Sequence, residues 1–110
     1  MLHMEVYPAL PTEAASIRKE VFMEEQGFVE EFDEIDHQAR HIVVFNGEVP
    51  VGTCRFYWDQ ERNSYVLGKV AVRKAFRGQS LGLMLVQECE RQVIASKANK
   101  LFLAAQVRVK

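Results

Sequence analysis

The residues with the clearest chemical potential form one continuous run, Val70-Ala-Val-Arg-Lys-Ala-Phe-Arg-Gly-Gln-Ser-Leu-Gly82. A β-prone stretch leads into a glycine-containing turn, and a helix opens behind the turn. Such a turn aims unpaired backbone N–H groups outward and adds the positive end of the helix. That combination suits a phosphate or pyrophosphate, and Arg73, Lys74 and Arg77 add positive charge beside it. The run is neither a G-x-x-x-x-G-K-[ST] loop nor a G-x-G-x-x-G fingerprint. On physics alone it reads as an anion site or as a plain strand-to-helix turn, and both stay open.

The distribution of charge gives this segment a counterpart. The formal net charge is only −1, yet seven of the fifteen acids fall between residues 24 and 36: Glu24, Glu25, Glu30, Glu31, Asp33, Glu34 and Asp36. Between Arg62 and Gln87 there is no acid, while Arg62, Lys69, Arg73, Lys74 and Arg77 all lie there. Two solvated faces would account for this. So would a basic locus for an anion facing an acidic lip for a cation. Five dispersed basic residues and a pI near 6.3 do not make a nucleic-acid footprint, so no nucleic acid is expected.

The elements that must position these groups follow from periodicity. His3 to Pro8 reads as a first strand. Thr12 is placed as a helix N-cap ahead of the stripe Ala14, Ile17, Val21 and Phe22, with Gly27 ending the helix after Gln26. Residues 27–40 form an acidic loop with a short helical turn. His41 to Phe45 and Glu48 to Trp58 read as strands joined at Asn46-Gly47, the signature of a type I′ hairpin. Tyr65 to Val72 is the next strand, and Gly68 within it hints at a bulge or a close approach. Residues from about Ser80 to Lys97 read as a helix burying Gly82, Leu85, Val86, Cys89 and Val93, with Asn99 near its end. Leu101 to Val109 is a final β-prone run. The fold class is therefore α/β (α+β): a mixed, mostly antiparallel sheet with a parallel pair around a crossover helix, flanked by helices.

With 110 residues the chain suits one domain, 1–110, and one modest core. Its composition, 48% hydrophobic and 26% charged, excludes collagenous, low-complexity and disordered classes. No apolar run approaches a membrane span and no basic-then-apolar leader opens the chain, so no membrane partner and a cytoplasmic location are expected. Cys54 and Cys89 lack metal spacing and read as buried thiols; no metal is expected. Tyr57 and Trp58 read as sheet packing, Met23 and Met84 as core, and His37 as surface.

Taken in order, these residues resemble the GNAT N-acetyltransferase superfamily. Arg77-Gly-Gln-Ser-Leu-Gly82 after Leu67-Gly-Lys-Val-Ala-Val72 is similar to its R/Q-x-x-G-x-G/A acyl-CoA motif. Arg18-Lys-Glu-Val-Phe-Met-Glu-Glu-Gln26, Asp33-Glu-Ile-Asp36, His41 and Leu103-Ala-Ala-Gln-Val107 resemble its ElaA/YjcF-like branch. The resemblance implies that backbone groups of Val70, Ala71 and Val72 pair with the pantetheine arm of acetyl-CoA. It implies that Arg77, Gly78, Gln79, Ser80, Leu81 and Gly82 hold the pyrophosphate. The implied reaction is direct attack of a primary amine on acetyl-CoA in a ternary complex, with acid–base candidates Glu25, Asp36 and His41. Alternatively, Glu25 is a solvated helix-end charge and His41 a strand-end histidine bonded to backbone. Ser80 stands where the family usually has its middle glycine, which crowds a phosphate if its φ is positive, or else supplies a hydroxyl.

The family's tyrosine-bearing F-Y-x-x-x-G-F segment and closing strands are not found, so the domain is expected to be C-terminally incomplete. Three readings follow: an N-acetyltransferase acting on a small-molecule amine, cationic if the acidic segment serves it; a non-catalytic acyl-CoA-binding or interaction module; or a domain whose missing strands are supplied by another chain or by a strand-swapped homodimer.

Overall fold

A computed structural model describes residues 1–27, 32–96 and 101–103. Five strands, β1 (Leu2–Tyr7), β2 (Arg40–Asn46), β3 (Val49–Asp59), β4 (Ser64–Val72) and β5 (Leu101–Leu103), lie side by side in chain order. The first four are antiparallel, and β5 runs parallel to β4 through the pairs Tyr65–Leu101, Val66–Phe102 and Leu67–Leu103. The parallel pair requires a crossover, supplied by helix α2 (Leu81–Ala95). The final β-prone run, read as Leu101 to Val109, is described only as far as Leu103, and the helix end at Lys97 and Asn99 likewise lies outside the described residues. So do Glu30 and Glu31.

The two-residue period of β2 assigns its side chains to two cores. Ile42 and Val44 join Cys54, Phe56 and Leu67 against Leu81, Leu85, Val86, Cys89 and Val93 of α2. Val43 and Phe45 join Ala71 against Ala14, Ile17, Val21 and Phe22. The two helical regions therefore cover opposite faces, and both apolar stripes read from the sequence are buried as expected. Burial holds the Cys54 thiol well above its ordinary pKa and pushes Cys89 up to about 12, so both are inert packing groups.

Three local readings are corrected. Thr12 is the first residue of helix α1 (Thr12–Arg18), with Pro11 at the N-cap and no side-chain cap. The hairpin between β2 and β3 turns on Gly47-Glu48, since Asn46 already pairs with Val49. Gly47 alone takes a positive φ of 65° there, which fits a glycine-first II′ turn better than the Asn-Gly I′ turn. Finally, α1 does not run on unchanged to Gln26. At Lys19–Glu25 it widens into a π-helical segment, closed by the Gln26 N–H donating to the Val21 carbonyl at 3.1 Å. The extra residue per turn re-aims the side chains that follow, and such segments are frequent at functional sites.

Candidate functional site

The β4 strand carries the bulge that Gly68 hinted at, one residue further on. Arg55 pairs with Gly68 and Thr53 with Ala71, so β3 spends one intervening residue where β4 spends two. Lys69 absorbs the mismatch with a φ of 53°. The bend that follows turns Val70, Ala71 and Val72 to line a cavity of about 320 Å³. Val21 and Gln26 from the π-helical region form another wall, and Arg77, Gly78, Leu81 and Gly82 close the far end. The cavity falls where a crossover leaves the carboxyl end of its strand, the usual place for a ligand in such sheets.

The far end is a helix start with no side-chain cap. Gly78 adopts a φ of 84°, a backbone that an L side chain rarely takes, and turns the chain into α2. Ser80 sits at the N-cap with φ 62° and makes no capping hydrogen bond. The leading N–H groups of α2 therefore lack a side-chain partner, and no acid occupies the first turn to neutralise the helix end. Ser80 thus carries the strain without the cap. Glycine at this position removes about 1 kcal/mol of left-handed strain. Ser80→Gly is expected to raise the melting temperature by a few degrees, measured by thermal unfolding.

Arg77 leans over this end. Its Nε donates to the Val72 carbonyl at 2.9 Å, and its two terminal nitrogens donate to the Glu25 carboxylate at 2.6 Å each. The hydrogen bond from Arg77 holds the Glu25 carboxyl below its ordinary range. Arg73 reaches the same region from the other side, donating to the Ser16 hydroxyl at 3.2 Å and lying 3.6 Å from Glu20. Glu25 is therefore tied to the turn that carries Arg77.

Asp36 and His41 are brought together elsewhere, on the α1 face of the sheet. Asp36 is 4% exposed. One carboxylate oxygen accepts from Arg18 at 2.6 Å and from Arg55 at 3.0 Å; the other accepts from Arg18 at 3.0 Å and from the Asp33 N–H at 3.1 Å. Those four donors fill the acceptor positions of the carboxylate. Burial alone would raise its pKa, but the Arg18 and Arg55 contacts prevail and hold it at about 2. Such a group is a poor proton acceptor at neutral pH, which corrects the expectation that Asp36 serves as a base. His41 is fully buried, and its Nε2 lies 3.1 Å from the Asp36 carbonyl oxygen. A carbonyl only accepts, so Nε2 carries the proton, and desolvation lowers the pKa and keeps the ring neutral. The backbone-bonded histidine weighed as the alternative is what the structure contains.

Arg18 entered the sequence reading only as the first residue of a family motif, with no role assigned, and Arg55 did not enter it. For Arg18 a signal existed: it lies on the apolar stripe, four residues from Ala14 and Phe22, where an unpaired charge would be prohibitive. The acidic segment also reads differently in three dimensions. Glu25, Asp33 and Asp36 are each occupied by arginines, so those carboxylates do not form an open lip for a cation. Among the described residues no group of three or more His, Cys, Asp or Glu could hold a metal ion. No described helix is long and apolar enough to cross a membrane.

Comparison with known proteins converges on one family. The pattern of the acetyltransferase (GNAT) family matches residues 5–109. The chain is 33% identical over 98 residues to the uncharacterized N-acetyltransferase YjcF of Bacillus subtilis, covering 87% of this chain and 69% of YjcF. Two further B. subtilis relatives match at 38% and 35% identity, with the chain spanning 56% and 55% of their lengths. Among solved structures, Escherichia coli ElaA superposes with a TM-score of 0.84 at 23% identity, over 96% of this chain and 79% of ElaA. A GNAT family acetyltransferase from Brucella melitensis, in complex with acetyl-CoA, gives 0.68 at 24% identity, over 92% and 75% of the two chains. With a bulged strand feeding a glycine turn and a helix, and with this match across nearly its whole length, the chain belongs to the GNAT acetyltransferase family, in its ElaA/YjcF-like branch.

Proposed function

We propose that the cavity between β4, the π-helical segment and the start of α2 binds acetyl-CoA, and that the domain formed by residues 1–110 transfers the acetyl group to a primary amine of a small molecule. The observation that carries this reading is the cavity itself: a bulged strand edge, Val70–Val72, leads directly to an uncapped helix start with Arg77 at the rim. The residues fit the group. Backbone polar groups of Val70, Ala71 and Val72 suit the amides of a pantetheine arm. The N–H groups around Gly78, Gln79, Ser80, Leu81 and Gly82, with the Arg77 guanidinium, suit a pyrophosphate. Acetyl-CoA supplies an activated thioester carbonyl that an amine attacks directly in a ternary complex.

Catalysis by this chain rests chiefly on positioning. A backbone N–H of the bulged β4 edge is the group assigned to the charge that would develop on the thioester carbonyl oxygen. Of the three acid–base candidates, Asp36 is saturated by arginines and His41 is fully buried, while Glu25 pairs with Arg77 before a ligand enters. In this reading the amine loses its proton to solvent before it attacks, the C–S bond of the thioester breaks, and the departing thiolate takes its proton from solvent.

The test is thiol release from acetyl-CoA with a panel of primary amines. The expected result is release that rises with pH through the pKa of each amine. Measurable binding of acetyl-CoA without release from any amine would instead favour a non-catalytic acyl-CoA-binding module.

A further inference from the structure

Arg77 and Arg73, the two arginines beside the anion loop, are both held by acids of one short segment, Lys19–Glu25. The Arg77–Glu25 contact has the geometry a phosphate would adopt: two parallel N–H···O bonds of 2.6 Å from one guanidinium. No acid lies in the sequence between Arg62 and Gln87, so the negative charge at this locus is brought from across the cavity. It arrives on the residue next to Gln26, which lines the cavity wall. We propose that Glu25 is an internal stand-in for a ligand phosphate: its carboxylate holds Arg77 before a ligand arrives and yields the guanidinium to the pyrophosphate of an entering ligand. This rests on the reading of the cavity as the acetyl-CoA site, and it gives Glu25 a role other than that of a base.

The exchange has two consequences. Binding opposes a carboxylate already in place, so Glu25 sets affinity for anionic ligands without touching them in the bound state. It also frees the end of the π-helical segment from the turn that precedes α2, coupling cofactor occupancy to the wall that carries Val21 and Gln26. A brace would behave differently: if Glu25 only held Arg77 in position, its removal would weaken binding.

The two ideas separate in calorimetric titrations of the chain with inorganic pyrophosphate, coenzyme A and pantetheine. Glu25→Gln is expected to tighten pyrophosphate and coenzyme A by about threefold or more, as removal of a competing exposed ion pair would. Pantetheine, which lacks phosphate, should be unaffected. Glu24→Gln makes the same change in net charge one residue away and should alter none of them by as much as twofold. Unchanged or weaker pyrophosphate binding in Glu25→Gln, or an equal gain in Glu24→Gln, would overturn the exchange. Tighter pyrophosphate with no coenzyme A binding in either protein would support the exchange and remove the acetyl-CoA reading. Coenzyme A bound equally by wild type and Glu25→Gln would do the reverse.

Discussion

Replacing Asp36 by asparagine should lower the stability of the fold by about 3–5 kcal/mol, the cost of removing the shared carboxylate from a buried ion-pair cluster. The side chain keeps its shape, so packing is unchanged, but Arg18, only 1% exposed, loses its two-pronged pair with Asp36. Arg55 keeps Asp33, at 2.7 Å, and is the less affected of the two. Urea unfolding measures the effect. As a reference, Arg91→Gln removes a surface pair with Glu88 and should cost less than about 1 kcal/mol. A comparable loss in the two variants would show that the buried hub does not hold α1 and the 3₁₀ turn Glu34–His37 to the sheet.

The same hub sets the response to acid. The Asp36 pKa is lowered on folding from 3.8 to about 2, so the unfolded chain takes up the proton first as pH falls. The stability contributed by Asp36 is fully present above about pH 4 and is lost progressively as pH falls toward 2. Asp33, Glu25 and Glu88 are also shifted down, by their arginine and amide partners, and act in the same direction. Wild type should lose stability in that window, and Asp36→Asn should show a flatter profile there.

Arg77→Ala should weaken acetyl-CoA binding by roughly tenfold or more, since a charge-assisted contact to phosphate is removed. The loss has a second source. Without the guanidinium, Glu25 faces the incoming phosphates as an unneutralised carboxylate, so Arg77→Ala combined with Glu25→Gln should recover part of the affinity. Unchanged affinity in Arg77→Ala would remove Arg77 from the cofactor site.

Much of this was readable in the residues because local chemistry and global fold agree. The stripe on α2 and the alternation of β2 each bury the residues their periods select, and both helices cover the faces they must. The strand-to-helix junction was legible from the glycine turn and the apolar stripe that follows it, while its use as an anion site belongs to the proposed function. What escaped was set by tertiary contacts. Asp36 has the composition of a base, and only Arg18 and Arg55, brought from α1 and β3, turn it into a buried counter-ion. Lys69 takes the left-handed backbone that Gly68 was suited for, because the mismatch with β3 falls one residue later. The π-helical widening has no sequence signature in Lys19–Glu25, yet it carries Glu25 to Arg77. Ser80 was recognised as a departure, but whether its hydroxyl would cap or its Cβ would strain depended on a φ that the sequence alone does not provide.

The central claim is that acetyl-CoA lies along Val70–Val72 with its pyrophosphate at the start of α2. Titration of the isotopically labelled chain with acetyl-CoA, followed by backbone amide shifts, tests it most directly. The account predicts saturable shifts concentrated at Val70, Ala71, Val72, Gly78 and Gly82, with β1 and the Gly47-Glu48 turn unmoved. Shifts centred on the Asp36–Arg18 hub or on the hairpin, or none at saturating acetyl-CoA, would contradict it.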